Sequence, residues 1–365
     1  MNTINKINEG KDKELIISER YVAIDIFRIV CSLLVVAIHC SIFIEQYSEL
    51  YFIINNIIAR IAVPFFFMTT GYFFYKKYSK NSNILKITIL KLLQIYILWS
   101  IIYLAIELYS KAKTNSINIG YLIGMIKRII FSGSNAILWY IPASIISLIF
   151  ISFFIKKNRF KSLFIVGLAL YIFGMLGNSY NGIVHNTKFQ QLINIYNIIF
   201  TNSKNGLCMG VIFISLGIFI NKYNINKKLQ RNNLLLVISI LIMITEIAIL
   251  NKYLNITSFD MYISLLFVVP LIFIILTKIK VNIKINSELF RNISLYIYVS
   301  HGVFLIITRA ILEYLNLNAI KGISSIKFLI VSSTSIIFSI LIIKAKQALI
   351  KIKNIYIWLV NFKLK

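Results

Sequence analysis

The chain has 365 residues, 59% of them hydrophobic and only 14% charged, with a mean hydropathy of +0.82. Those values exclude an ordinary soluble domain and point to a single helical bundle in a membrane. The net charge of +27 would suit a nucleic-acid binder, but its distribution along the chain argues against one.

Residues 1–20 mix Lys with Glu and Asp and read as a short cytoplasmic tail. Apolar runs follow at 22–44, 51–75, 84–108, 137–155, 161–178, 205–221, 233–250, 259–277, 290–312 and 324–343. Most approach the ~20 residues that a helix needs to cross a bilayer. The first run is too long for a signal-peptide core and lacks a small-residue cleavage pattern, so it is expected to be retained. The longest segments between runs, 109–136 and 179–204, each hold an amphipathic stretch, such as 121–131 with Lys127 and Arg128, suited to the interface. With a cytoplasmic N-terminus, and with basic residues at run ends counted to the adjoining segment, 26 of the 39 Lys and Arg fall on inside segments, nine on outside segments, and Arg28, Arg60, Lys91 and Arg309 deeper within runs. That asymmetry is the positive-inside pattern. The expected fold is therefore all-α, a polytopic bundle of about ten transmembrane helices with both termini cytoplasmic. Residues 21–345 form the membrane domain and 346–365 a basic cytoplasmic tail. The basic balance reflects topology and attraction to anionic lipid, and no nucleic-acid partner is expected.

Polar groups inside the runs are the candidates for chemistry, because ionisable side chains at that depth are costly in lipid and face protein or a wet cavity. Arg28 and His39 lie eleven residues apart in the first run. Eleven residues are about three turns, which places both on one helix face ~16 Å apart along the axis. Asp25 is three residues before Arg28 and pairs with it on that face. Arg60 lies in the outer half of the second run, and Thr69, Thr70 and Gly71 toward its inner end. His301 falls in the middle of the ninth run beside Tyr296, Tyr298 and Ser300. Acids gather on the outer side: Glu45, Glu49, Glu107, Glu246, Asp260 and Glu313. Cations therefore populate the inner half, and carboxylates and imidazoles the outer half, as suits an anionic ligand from the cytoplasm and a hydroxylated one from outside.

Structural roles compete with these. An intramembrane His can serve as an interhelical hydrogen bond. Arg60 can be neutralised by a partner such as Glu107, and Arg309 with Glu313 reads as a structural pair. Lys91 is placed to snorkel, and His185 reads as a solvated loop residue. Trp139 and Tyr140 fit interface anchors as well as substrate contacts. Cys31, Cys40 and Cys208 follow no disulfide or metal spacing and read as small packing residues; no metal site is expected.

Five elements in order carry a family resemblance: Asp25 with Arg28 and His39; the stretch Arg-Ile-Ala-Val-Pro-Phe-Phe-Phe-Met-Thr-Thr-Gly-Tyr-Phe at 60–73; Leu-Trp-Tyr-Ile-Pro-Ala at 138–143; Lys-Asn-Gly-Leu at 204–207; and Ser-Leu-Tyr-Ile-Tyr-Val-Ser-His at 294–301. Over nearly its whole length the chain resembles the bacterial acyltransferase family 3, and in flavour the membrane half of the serine racemases of vancomycin resistance. Within these 365 residues neither the soluble racemase domain of those relatives nor the esterase-like domain of others is expected. It departs from the family at Thr70, where Ser is usual, at Gly302, where Pro is frequent, and at Lys204, where Arg is common. Lys204 lacks the planar bidentate recognition that Arg offers to a carboxylate or phosphate.

The resemblance implies a multi-pass protein of the bacterial cytoplasmic membrane. It would transfer an acyl group, acetyl from acetyl-CoA, to a hydroxyl of an envelope carbohydrate or peptidoglycan-type acceptor, with no tightly bound cofactor. It assigns His39, Arg28 and Asp25 to catalysis and Arg60, Thr70, Trp139, Lys204, Asn205 and His301 to substrate binding. His39 would be the general base, because an imidazole titrates near working pH. Arg28, with Arg60 or cytoplasmic lysines, would hold CoA phosphates or polarise the thioester carbonyl. Asp25 would orient Arg28, and His301 would bind the acceptor. The competing class is transport of a small solute such as L-serine, with Glu246, Asp260 and Glu313 receiving the amino group; a third is a flippase partner or scaffold.

Overall fold

The computed structural model describes residues 21–254, 258–281, 287–317 and 323–363; the proposed tail at 1–20 lies outside them. Twelve principal helices follow in order: α1 Val22–Cys40, α2 Ser48–Tyr78, α3 Ile84–Lys113, α4 Ile119–Phe131, α5 Tyr140–Lys156, α6 Phe160–Leu176, α7 Lys188–Phe200, α8 Gly206–Lys222, α9 Asn232–Tyr253, α10 Leu265–Lys278, α11 Ser287–Tyr314 and α12 Ser324–Lys363. No strand occurs among the described residues. Six helices, α1, α2, α3, α9, α11 and α12, are long and apolar enough to cross a membrane, and α5, α6, α8 and α10 are shorter apolar helices. These ten coincide with the ten apolar runs. The amphipathic stretches in the two long connections form α4 and α7, each of 13 residues.

Contacts gather the helix ends into two sets. Lys76 lies over the Tyr21 ring, Lys222 reaches Asn158, and Arg291 reaches Asp25. At the other set of ends, Ser324 N–H donates to Glu45, and Arg60 and Lys204 both reach Asp260. Helix α12 continues to Lys363, through the stretch read as a basic tail.

About half of the apolar window of α1 (50%) and α11 (50%) is buried, against 22% in α3 and α9. Helices α1, α2, α8 and α11 are thus central, and α3 and α9 peripheral. Exposed Leu98 and Ile101 on α3, and Leu241 on α9, face outward, where lipid accepts apolar surface. The core is rich in fully buried aromatics, including Phe65 and Phe67 on α2, Phe213 on α8 and Phe273 on α10.

Two features of the centre set up the site. A Cβ added at Gly71 would lie 2.0 Å from the Ile214 carbonyl oxygen, and one at Gly217 would lie 2.1 Å from that of Met68. Reciprocal glycines therefore let α2 and α8 touch backbone to backbone, the small-residue packing of membrane helices. The second feature is irregular winding. Helix α2 is π-helical at Phe52–Ile57 and 3-10 at Ile58–Ile61 before the regular α segment Ala62–Tyr78. Pro64 has no N–H for the Arg60 carbonyl four residues back, so regular α pairing cannot extend through this turn. Helix α8 likewise begins with a π-turn at Gly206–Gly210. Both irregular turns adjoin the same cavity, as π-bulges at functional sites often do.

Candidate active site

The cavity has a volume of about 150 Å³. His39 and Ile38 come from the last turn of α1, Arg60 and Pro64 from α2, and Trp139 from the segment before α5. Lys204 comes from the turn just before α8, Met209 from the start of α8, and Asp260 from the non-helical segment before α10. Helix α1 stops one residue after His39, because Ser41 adopts φ 51°, ψ 50° and its N–H caps the Ile38 carbonyl. This termination leaves His39 at the cavity wall.

Asp260 organises the cationic wall. Its Oδ1 accepts from Arg60 and, at 3.1 Å, from Lys204 Nζ, and its Oδ2 accepts from the Ser258 hydroxyl at 2.7 Å. Asn178 Oδ1 accepts from the Asp260 N–H at 3.2 Å and so fixes the backbone. Arg60 also donates to Asn56 Oδ1 at 3.1 Å, and Lys204 Nζ lies 5.2 Å from the Trp139 ring centroid. Burial by itself would raise the Asp260 pKa, but Lys204 and Arg60 outweigh it and hold the carboxyl well below the ordinary carboxylate range. Two cations and one carboxylate leave this wall with a net positive charge.

The imidazoles form the opposite feature. The rings of His39 and His301 are 5.3 Å apart, tilted by 41°. His301 is fully buried, with Nδ1 3.1 Å from the Ile297 carbonyl oxygen. A carbonyl only accepts, so Nδ1 carries the hydrogen and Nε2 remains an acceptor; that Nε2 is buried without a protein partner. Helix α11 thus supplies a second imidazole behind the one that lines the cavity.

Arg28 and Asp25 are elsewhere. They sit toward the start of α1, ~16 Å (Arg28) and ~21 Å (Asp25) from His39 along the helix axis, and neither lines the cavity. Asp25 is buried, with Oδ1 3.9 Å from Arg28 and Oδ2 3.1 Å from Arg291. Ser32 and Ser294 bond each other at 2.8 Å, and Ser294 also donates to the Arg28 carbonyl at 2.9 Å, locking α1 to α11 between the two ends. Thr70 is outside the cavity too: its hydroxyl lies 2.8 Å from the Tyr140 hydroxyl, which also donates to the Phe66 carbonyl. Asn205 is buried and acts as a cap. Its Oδ1 accepts from the Leu207 and Cys208 N–H groups at 2.9 and 3.1 Å, and its Nδ2 donates to Tyr196 and to the Asn202 carbonyl.

Of the nine residues named from the sequence, His39, Arg60, Trp139 and Lys204 line one cavity, with His301 against His39. Arg28, Asp25, Thr70 and Asn205 do not line it. Glu107 is not the partner of Arg60: it accepts from Arg128 at 2.6 Å and from Tyr121 at 3.0 Å. From the sequence, Asp260 is named as one of several outer acids and as a receiver for an amino group, not as the partner of Arg60, and Arg291 is visible only as a charge at the edge of the run 290–312.

Three comparisons place this arrangement. An amino-acid racemase of Enterococcus faecalis is 31% identical over 337 residues, which cover 89% of this chain and 46% of the relative. A second amino-acid racemase of the same species is 37% identical over 209 residues, or 56% of this chain and 28% of the relative. A serine/alanine racemase of Enterococcus gallinarum is 28% identical over 236 residues, covering 63% and 33%. The chain spans less than half the length of each of these relatives. No solved structure matches significantly. The acyltransferase domain model of acyltransferase family 3 matches residues 21–344, and the chain belongs to that family.

Proposed function

We propose that the chain is a membrane acyltransferase that moves an acyl group, acetyl in the simplest case, from cytoplasmic acyl-CoA to a hydroxyl of a cell-envelope glycan. The proposal includes ten crossings with both termini cytoplasmic, which puts Arg28 at the donor side and His39 at the acceptor side. One observation carries it: His39 lines the same cavity as the Arg60–Lys204 wall, backed by an imidazole whose Nε2 can only accept. A base beside fixed cations is what transfer to a hydroxyl requires. His39 takes the hydroxyl proton as the oxygen attacks the thioester carbonyl. Arg60 and Lys204 stabilise the negative charge that develops on the carbonyl oxygen. The C–O bond forms, the C–S bond breaks, and the proton leaves with the CoA thiol. Arg28 and Arg291, held by Asp25, meet the phosphates of CoA, whose long pantetheine arm bridges the distance to His39. Thr70 and Tyr140 lie beside that path, and Asn205 contributes by fixing the turn that carries Lys204.

Purified protein in liposomes, supplied with labelled acetyl-CoA and cell-wall fragments, tests this reading. The substitution His39→Ala is expected to cut transfer by about 10²-fold or more, the range for loss of a general base. Undiminished transfer by H39A would remove His39 from the mechanism.

The amino-acid and serine/alanine racemase names of the relatives favour a second reading, passage of a small amino acid such as L-serine. Its weakness is that two of the carboxylates suited to an amino group already have partners. Asp260 binds Arg60 and Lys204, and Glu246 accepts from Tyr180 and from the Ile263 and Ser264 N–H groups. Saturable, CoA-independent serine uptake into proteoliposomes would establish transport instead.

A further inference from the structure

Away from the cavity, a groove of about 510 Å³ runs between α3, α4 and the end of α7, lined in part by Glu107, Lys111, Lys127, Arg128 and Asn197. It holds three cations and one carboxylate. Glu107 is committed to Arg128 at 2.6 Å, and among the described residues no carboxylate forms an ion pair with Lys111 or Lys127. Two positive charges therefore remain in excess. Asn197 Oδ1 is buried there without a hydrogen-bond partner.

The surroundings identify what these charges meet. Helices α4 and α7 have 13 residues each, ~20 Å at 1.5 Å per residue, too short to span a bilayer. Both expose large apolar side chains beside the groove, with Ile123 63% and Ile198 70% accessible. Short helices with a basic groove and exposed isoleucines lie at the depth of lipid headgroups. We propose that the groove binds the headgroup of an anionic phospholipid, its phosphate on Lys111 and Lys127 and its acyl chains along the exposed isoleucines. The helices meet where Phe131 and Phe200 pack with ring centroids 5.1 Å apart. From there the chain enters the cavity through Ala136 and Trp139 on one side and Lys204 on the other. A bound lipid thus braces both segments that supply the cavity wall. The inference is independent of what the cavity does.

The test is native mass spectrometry of the full chain, released from mixed micelles of phosphatidylcholine and phosphatidylglycerol. The wild type is expected to retain phosphatidylglycerol. K111Q and K127Q should each lower retention about fivefold and the double variant about 30-fold, from ~1 kcal/mol per lysine at a lipid surface. K156Q/K157Q, on the exposed turn after α5, should retain it like the wild type. Excess glycerol phosphate should not displace the lipid. Unchanged retention in the groove variants overturns the proposal, as does an equal loss in K156Q/K157Q. Full displacement by glycerol phosphate overturns it too, reducing the groove to a site for free phosphate. The two single variants, each conservative in size, read the effect even where the double variant unfolds.

Discussion

Replacing Asp260 by Asn removes one charge from the cavity wall and almost no volume. The native carboxylate accepts from Arg60, from Lys204 at 3.1 Å and from Ser258 at 2.7 Å. At an effective dielectric of about 20, unit charges at such a separation attract by roughly 5 kcal/mol before desolvation is counted. Breaking a buried pair by neutralising one partner costs about 3–5 kcal/mol, because the other charge stays buried. The Asp260 and Arg60 side chains keep 16% exposure and Lys204 30%, so water screens part of the loss and the low end, ~3 kcal/mol, is expected. Adding Lys204→Met to D260N removes one uncompensated cation and should restore ~1–2 kcal/mol, a coupling typical of residues in one ion-pair network. Equilibrium unfolding in mixed micelles, followed by Trp fluorescence, measures the cycle. The reasoning is refuted if D260N unfolds within about 0.5 kcal/mol of wild type, or if the two losses simply add within that margin.

Three further outcomes are expected. Gly217→Ala puts a methyl group 2.1 Å from the Met68 carbonyl; separating α2 from α8 should cost about 1–3 kcal/mol, seen as a lower melting temperature in detergent. Arg28→Ala should raise the KM for acetyl-CoA by about 10- to 100-fold, the worth of one or two charge-assisted hydrogen bonds of ~1.5–3 kcal/mol, while leaving the KM for the acceptor in place. His301→Leu, which removes an acceptor and not the cavity-lining base, should slow transfer by about tenfold or less, as one neutral hydrogen bond is worth ~0.5–1.5 kcal/mol. Steady-state transfer assays separate that effect from the larger loss in H39A.

Much of the site was legible because ionisable residues inside apolar runs are rare and conspicuous. His39, Arg60 and His301 stood out for that reason alone, and four of the five motif elements carried cavity residues. Asp260 was legible only as one of several outer acids. The short polar segment before α10 merges with its apolar run, and nothing local distinguishes Asp260 from Glu246, which instead accepts the Ile263 and Ser264 N–H groups. Asn205, assigned to substrate binding by the resemblance, has a structural task that the sequence does not announce: its side chain caps the π-turn that follows Lys204.

The pairing of Arg60 shows why such assignments need three dimensions. Glu107 and Asp260 are both outer acids within reach of a plausible bundle, and sequence distance does not choose between them. Helix α4 folds back on α3, giving Arg128 to Glu107, while the irregular winding of α2 turns Arg60 toward the segment before α10.

The sequence by itself determined the class of this protein, since apolar runs of bilayer length can satisfy their backbone hydrogen bonds in lipid only as helices. It also determined that Arg28 and His39 share a face at ~16 Å, because helical geometry leaves no other arrangement. Only the tertiary structure decided which helices meet. Reciprocal contacts at Gly71 and Gly217 bring α2 against α8, and the Ser32–Ser294 bonds bring α1 against α11. Those contacts join residues more than a hundred positions apart, and close packing between distant segments leaves no periodic trace in either one. For that reason the polar stripe of α1 was readable in advance, while the cavity that gives His39 its partners was not.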